Sequence, residues 1–124
     1  MQLSVARLDG SNATVATVRG EVDISAAHHL CNELLGVLQH QPLQLLVDLS
    51  GVTFMDASAV NVMLLVARSS SDRGIDLMLV AVPAHVRRIL TALKLEDALP
   101  HADTLQAALA PPDGSSSDAD PTRP

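Results

Sequence analysis

The chain has 124 residues, 48% of them hydrophobic, yet only one aromatic, Phe54; 8 Lys and Arg against 14 Asp and Glu leave a formal charge of −6. That length allows one domain of roughly 100–150 residues, with a core of Leu, Val, Ile, Ala and Met. An acidic chain without Trp or Tyr has neither the charge for nucleic acid or an anionic bilayer nor a platform for stacking bases.

A single cysteine, Cys31, excludes an intramolecular disulfide and a Cys-rich metal site. The opening Met1-Gln-Leu-Ser-Val-Ala-Arg-Leu-Asp9 has neither the basic nor the apolar region of a signal peptide. No apolar run approaches the ~18 residues of a membrane span, so a cytoplasmic location is expected.

In chain order, Leu3–Leu8 and Ala13–Val18 flank the turn-rich Asp9-Gly10-Ser11-Asn12, which predicts an antiparallel hairpin. After Gly20-Glu21-Val22-Asp23 comes a helix with Ser25 as its expected N-cap. Leu30, Leu34, Val37 and Leu38 form its apolar face, and Gln41-Pro42 ends it. Leu43–Leu49 reads as a buried strand, followed by a loop. A second helix fits residues 57–70, and Ser70–Gly74 reads as a loop. Ile75–Val82 is a strongly apolar strand, and Pro83 suits the first turn of a third helix with Val86, Ile89, Leu90 and Leu93 on one face. A last short helix spans Thr104–Ala110. Strands alternating with helices imply parallel pairing through crossovers, an α/β class.

From Pro111 the composition changes to Pro, Ser and Asp with Ala119 as the lone aliphatic residue, so 111–124 is expected to be a disordered tail after a domain at 1–110. The tail holds three acids and one base, which leaves 11 acids against 7 bases in the domain.

Self-sufficient catalysis is not expected. The chain has no glycine-rich phosphate loop, nucleophile elbow or zinc helix. His28 and His29 are adjacent and diverge by about 100° on a helix, so they cannot chelate one ion. Cys31 reads as a small core residue. Asp23, Asp48 and Asp56 fall where strands give way to helices, the position of caps and turn formers. No catalytic residue, metal ligand, cofactor or small-molecule substrate is assigned.

Residues 48–67 carry the information. On the helix that follows Asp56, Val60, Met63, Leu64 and Ala67 share a face within about 60° and are expected on the sheet. The opposite side carries Ser58, Val62, Leu65 and Ser69, flanked by Val66. An apolar stripe on the outer side of a helix is a candidate docking surface. Ser58 stands at its N-terminal end, where free backbone N–H groups and the helix dipole favour a phosphate. A phosphate there adds about −1.5 to −2 charge beside Asp56 and the stripe, enough to break an apolar contact. The simpler alternative is that Asp56 or Ser58 only caps the helix.

The run Asp48-Leu-Ser-Gly-Val-Thr-Phe-Met-Asp56-Ala-Ser58-Ala-Val60 resembles the signature of STAS domains of the anti-sigma factor antagonist class, roughly D-L-S-x-V-x-F-x-D-S-S-G-L. Gly20-Glu21-Val22-Asp23 is similar to the family's G-E-[LIV]-D after the second strand. The resemblance implies a mixed four- to five-stranded sheet with about four helices mainly on one face. It implies a partner, a GHKL-type serine-kinase anti-sigma factor using its own ATP and Mg²⁺, and a phosphatase that resets the cycle. It places the phospho-acceptor at Ser58, makes Asp56 shape the acceptor loop and makes Asp23 a contact for a basic residue of the kinase. With the stripe, the expected partner-binding set is Asp23, Asp56, Ser58, Ala59, Val62, Leu65 and Val66. Two positions depart from the family: Ala57 replaces the first serine, leaving Ser58 as the only acceptor hydroxyl, and Ala59 replaces the glycine. If that position is helical, Ala favours the helix over Gly by about 0.8–1.0 kcal/mol; if the family glycine serves close backbone approach, the methyl of Ala59 narrows the choice of kinase. Phe54, where the family also has a phenylalanine, is expected to fix the turn that presents Ser58. Stand-alone STAS domains also resemble accessory subunits of lipid-transporting ABC systems, an alternative without phosphorylation.

Overall fold

The computed structural model describes residues 1–8 and 12–109. The strands are β1 (Gln2–Arg7), β2 (Ala13–Val22), β3 (Gln44–Met55), β4 (Asp76–Val80) and β5 (His101–Ala102). The helices are α1 (Ile24–Leu38), α2 (Ala57–Asp72), α3 (Ala84–Ala92) and α4 (Leu105–Leu109). The expected tail at 111–124, and most of the expected hairpin turn, lie outside the described residues.

The five strands lie in chain order in one sheet. β1 and β2 are antiparallel, with Val5 opposite Ala16, as the hairpin pattern predicts. β2 through β5 are parallel, so the carboxyl ends of β2, β3 and β4 gather at one end of the sheet. Each of these three strands runs there into a helix.

Alternation along the strands separates two layers. Ala16, Val18, Leu45, Val47 and Leu79 join Leu30, Leu34, Val60, Met63, Val86 and Leu90 in the main core, which places α1, α2 and α3 on one face. Val15, Leu46 and Val80 point to the other face and pack with Ala108 of α4. The Gln44 side-chain amide ties that helix down by donating to the Ala108 carbonyl. The mixed sheet with helices mainly on one face agrees with the expectation.

Several boundaries differ from those read in the sequence. β3 runs on to Met55 rather than ending at Leu49, because residues 51–55 continue the parallel ladder: Arg19 pairs with Gly51 and Val22 with Met55. Asp23, not Ser25, caps α1; its carboxylate accepts the Ala26 amide at 2.9 Å. Helix α2 extends to Asp72, and the Ser70 hydroxyl, buried, donates to the Ile75 carbonyl. Pro83 is the N-cap of α3 rather than part of its first turn. Leu93 is the C-cap and stays exposed, while Leu95 packs against the core. Cys31 is buried in the core, and His28 and His29 are exposed, as expected.

Candidate functional site

The gathered strand ends build the candidate site. Val22 and Met55 are paired neighbours, so Asp23 and Asp56 leave the sheet side by side, each capping the helix that follows. An aspartate at that position accepts an amide proton that has no partner within the helix. On α2 the same carboxylate oxygen has two partners. Oδ1 of Asp56 accepts the Ala59 amide at 3.0 Å and the Ser58 hydroxyl at 2.7 Å. These bonds, the Ser58 hydroxyl first and the Ala59 amide next, hold the Asp56 carboxyl below the ordinary value of 3.8. At neutral pH Asp56 is therefore an anion that accepts the hydrogen bond of the Ser58 hydroxyl.

Ser58 is half-buried at the second position of α2, in the first turn, where the Ala59 amide is taken up by the Asp56 cap. Its oxygen can receive a phosphoryl group, and the helix end can bear part of the added charge. The carboxylate that accepts a hydrogen bond from the hydroxyl would face the phosphate as a like charge. Among the described residues, no group of three or more His, Cys, Asp and Glu side chains is placed to hold a metal ion. No helix among them is long and apolar enough to cross a membrane.

The expected outer stripe on α2 is only partly present. Leu65 is 51% exposed and Val62 half-buried, packed against the main core. Val66 and Ala59, both expected in the partner-binding set, are fully buried. Helix α2 packs sideways on α1 and α3 as well as on the sheet, which widens its buried arc beyond one sheet-facing stripe. Neither Ala59 nor Val66 can touch a partner directly. The methyl of Ala59 fills interior space beneath the acceptor turn instead of guarding its surface.

Phe54, expected to fix the turn that presents Ser58, lies at the surface. Its ring is 46% exposed and lies near-parallel to the His85 imidazole, with centroids 6.5 Å apart and an interplanar angle of 12°. His85 and the exposed Ile24 were not among the sequence candidates. They reach this end of the sheet only through the strand order, because each follows a different parallel strand.

Comparison with known proteins places this geometry. A family model described as the STAS domain matches residues 5–108. The anti-sigma-F factor antagonist RsfA of Mycobacterium tuberculosis, in strains CDC 1551 / Oshkosh and H37Rv, is 34% identical over 101 residues, 79% of this chain and 78% of the relative. Among solved structures, an anti-sigma factor antagonist from Mycobacterium paratuberculosis aligns with a TM-score of 0.73 at 23% identity, covering 87% of this chain and 92% of that one. The anti-sigma factor antagonist SpoIIAA in its unphosphorylated form aligns with a TM-score of 0.71 at 17% identity over 86% and 93% of the two chains. The phosphorylated form of SpoIIAA, a Bacillus cell fate determinant, gives 0.67 at 16% identity over 86% and 96%. At these identities the solved structures establish the fold alone. The family model and the 34% identical relative go further: the chain belongs to the STAS domain family, in its anti-sigma factor antagonist branch.

Proposed function

We propose that this protein is an anti-anti-sigma factor: unphosphorylated, it binds a serine-kinase anti-sigma factor and frees the sigma factor; phosphorylated on Ser58, it lets go. The observation that carries this reading is the short bond from the Ser58 hydroxyl to Asp56 Oδ1 at the head of α2. It orients one acceptor oxygen at the strand-end surface, with Ala57 leaving no competing hydroxyl in the turn. The relative at 34% identity is an anti-sigma-F factor antagonist, which supports an anti-sigma factor as the partner.

In the off-switching step, the bond between the γ-phosphorus of ATP and its bridging oxygen breaks as the bond from Ser58 Oγ to phosphorus forms. The hydroxyl proton leaves to a base of the kinase, and ADP departs. Asp56 then loses the Ser58 hydroxyl as a donor, keeps the Ala59 amide, and faces a phosphate of about −1.5 to −2 charge. Contact is lost through desolvation cost and repulsion. A phosphatase restores the serine by transferring the phosphoryl group to water.

Asp23, at the neighbouring strand end, offers its carboxylate to a basic residue of the kinase, and Leu65 and the exposed edge of Val62 supply apolar contact. The protein contributes shape and charge, while the kinase contributes the chemistry. The test is incubation with the cognate kinase and ATP, followed by site mapping and a binding measurement. Phosphate on Ser58 with a Ser58→Ala variant that binds constitutively supports the reading. Phosphate elsewhere, or a Ser58→Asp variant that binds like wild type, contradicts it.

A further inference from the structure

The one aromatic ring of this chain is not in its core. Leu, Val, Met and Ala fill the interior, while Phe54 is left 46% exposed two residues before Asp56. A lone large apolar side chain held at the surface beside a functional turn is informative in a way that a scattered leucine is not. Flat rings are common interface anchors, because they bury much area with few rotatable bonds.

Two further observations give the ring a defined setting. On the β2 side its register partner is Glu21, which is exposed, and Asp23 and Asp56 cap the two adjoining helices. The β2 side of the ring is therefore acidic, while α3 carries the exposed Arg87 and Arg88 just after His85. On the α3 side the ring stacks on His85, whose Nε2 is buried without a hydrogen-bond partner among the described residues. A buried polar atom left unpaired is costly and calls for a reason. Holding Phe54 in one orientation supplies that reason, since a side chain already fixed loses less entropy on binding.

We infer that Phe54, braced by His85, is the anchor by which this surface grips a basic protein partner, so that the docking surface extends from the acceptor turn onto the start of α3. The partner's matching face combines an apolar pocket for one ring with a Lys or Arg directed at Glu21 and Asp23. Ile24, 59% exposed at the head of α1, adds apolar surface at the same strand ends. His85 is a positioning residue here, acting through Phe54. The inference rests on the proposed function in taking the anti-sigma factor kinase as that partner.

The test measures affinity of the full chain for the cognate kinase by calorimetry, with circular dichroism to verify folding. Phe54→Ala lowers affinity by at least about tenfold while its melting curve stays cooperative. Phe54→Leu, which keeps an apolar side chain without the flat ring, loses about threefold or more and covers the case of an unfolded alanine variant. His85→Ala weakens binding, whereas His85→Phe, which keeps the stack and removes the unpaired nitrogen, restores it and melts higher than wild type. Phe54→Ala and Phe54→Leu binding like wild type, or His85→Phe binding as weakly as His85→Ala, overturns the inference alone. Absence of any binding by the wild-type chain overturns both it and the functional reading.

Discussion

Replacing Ala59 by glycine restores the residue that the family signature carries at this position, yet the structure predicts a loss. Ala59 is fully buried at the third position of α2, and its amide is the proton donor to the Asp56 cap. Removing its methyl gives up about 0.8 kcal/mol of buried apolar contact. Glycine in a helix adds up to about 1 kcal/mol from the backbone entropy lost on folding. Together these come to about 1–2 kcal/mol, or a fall in melting temperature of about 5–10 °C for a domain near this size. Thermal unfolding followed by far-UV circular dichroism reads this directly. Phosphorylation of Ser58 should change by less than about twofold, because glycine keeps the amide that holds the cap. A variant that melts at or above wild type and is phosphorylated tenfold faster would refute the reasoning. It would mean that the methyl obstructs the kinase rather than packing the interior.

The other expectations concern the helix face, the turn before it and the cap. Val66→Asp should not fold, since it buries an unpaired charge, whereas Leu65→Asp should melt within about 0.5 kcal/mol of wild type and bind the kinase about tenfold more weakly. Val62→Asp should lose stability as well as binding, because that side chain is half-buried against the core; urea unfolding separates the two effects. Gly20→Ala should cost about 1–2 kcal/mol in urea unfolding, because Gly20 lies at φ 89°, a conformation that L side chains resist. The lowered Asp56 carboxyl makes the α2 cap strongest when ionised. Its contribution is fully present above the ordinary value of 3.8 and is lost as pH falls through the lower folded-state value. The Ala59 amide resonance in NMR should therefore stay unchanged from about pH 8 to pH 5 and move only in stronger acid.

What could be read from the sequence was what local chemistry determines. The apolar spacing of Leu30, Leu34 and Leu38 identified the face of α1, and all three are fully buried. Asp56 before a helical run signalled a cap, and it is one. The misreadings share a cause, which is pairing between distant residues. Ser50 and Gly51 look like a turn locally, but β2 supplies partners that carry the strand on to Met55. Ser25 is a good N-cap by type, yet Asp23 already stands where β2 ends and its carboxylate reaches the first turn. Strand β5 is only His101 and Ala102, too short to leave a periodic signal. Val66 lies about 120° from Val60 on the helix wheel and reads as a flank, but the neighbouring helices close over that flank. For the site, Asp56 and Ser58 were legible because capping is local. The stack of Phe54 on His85 was not, because 31 positions separate them in the chain and only the parallel strand order brings them together.

The central claim, that one hydroxyl switches binding, is tested most directly by following the complex with the cognate kinase before and after addition of ATP and Mg²⁺, using native mass spectrometry with site mapping. The account predicts that the complex forms without ATP, that phosphate appears on Ser58, and that the phosphorylated chain is found free. A complex that persists with Ser58 fully phosphorylated, or one that dissociates while Ser58 stays unmodified, would contradict it.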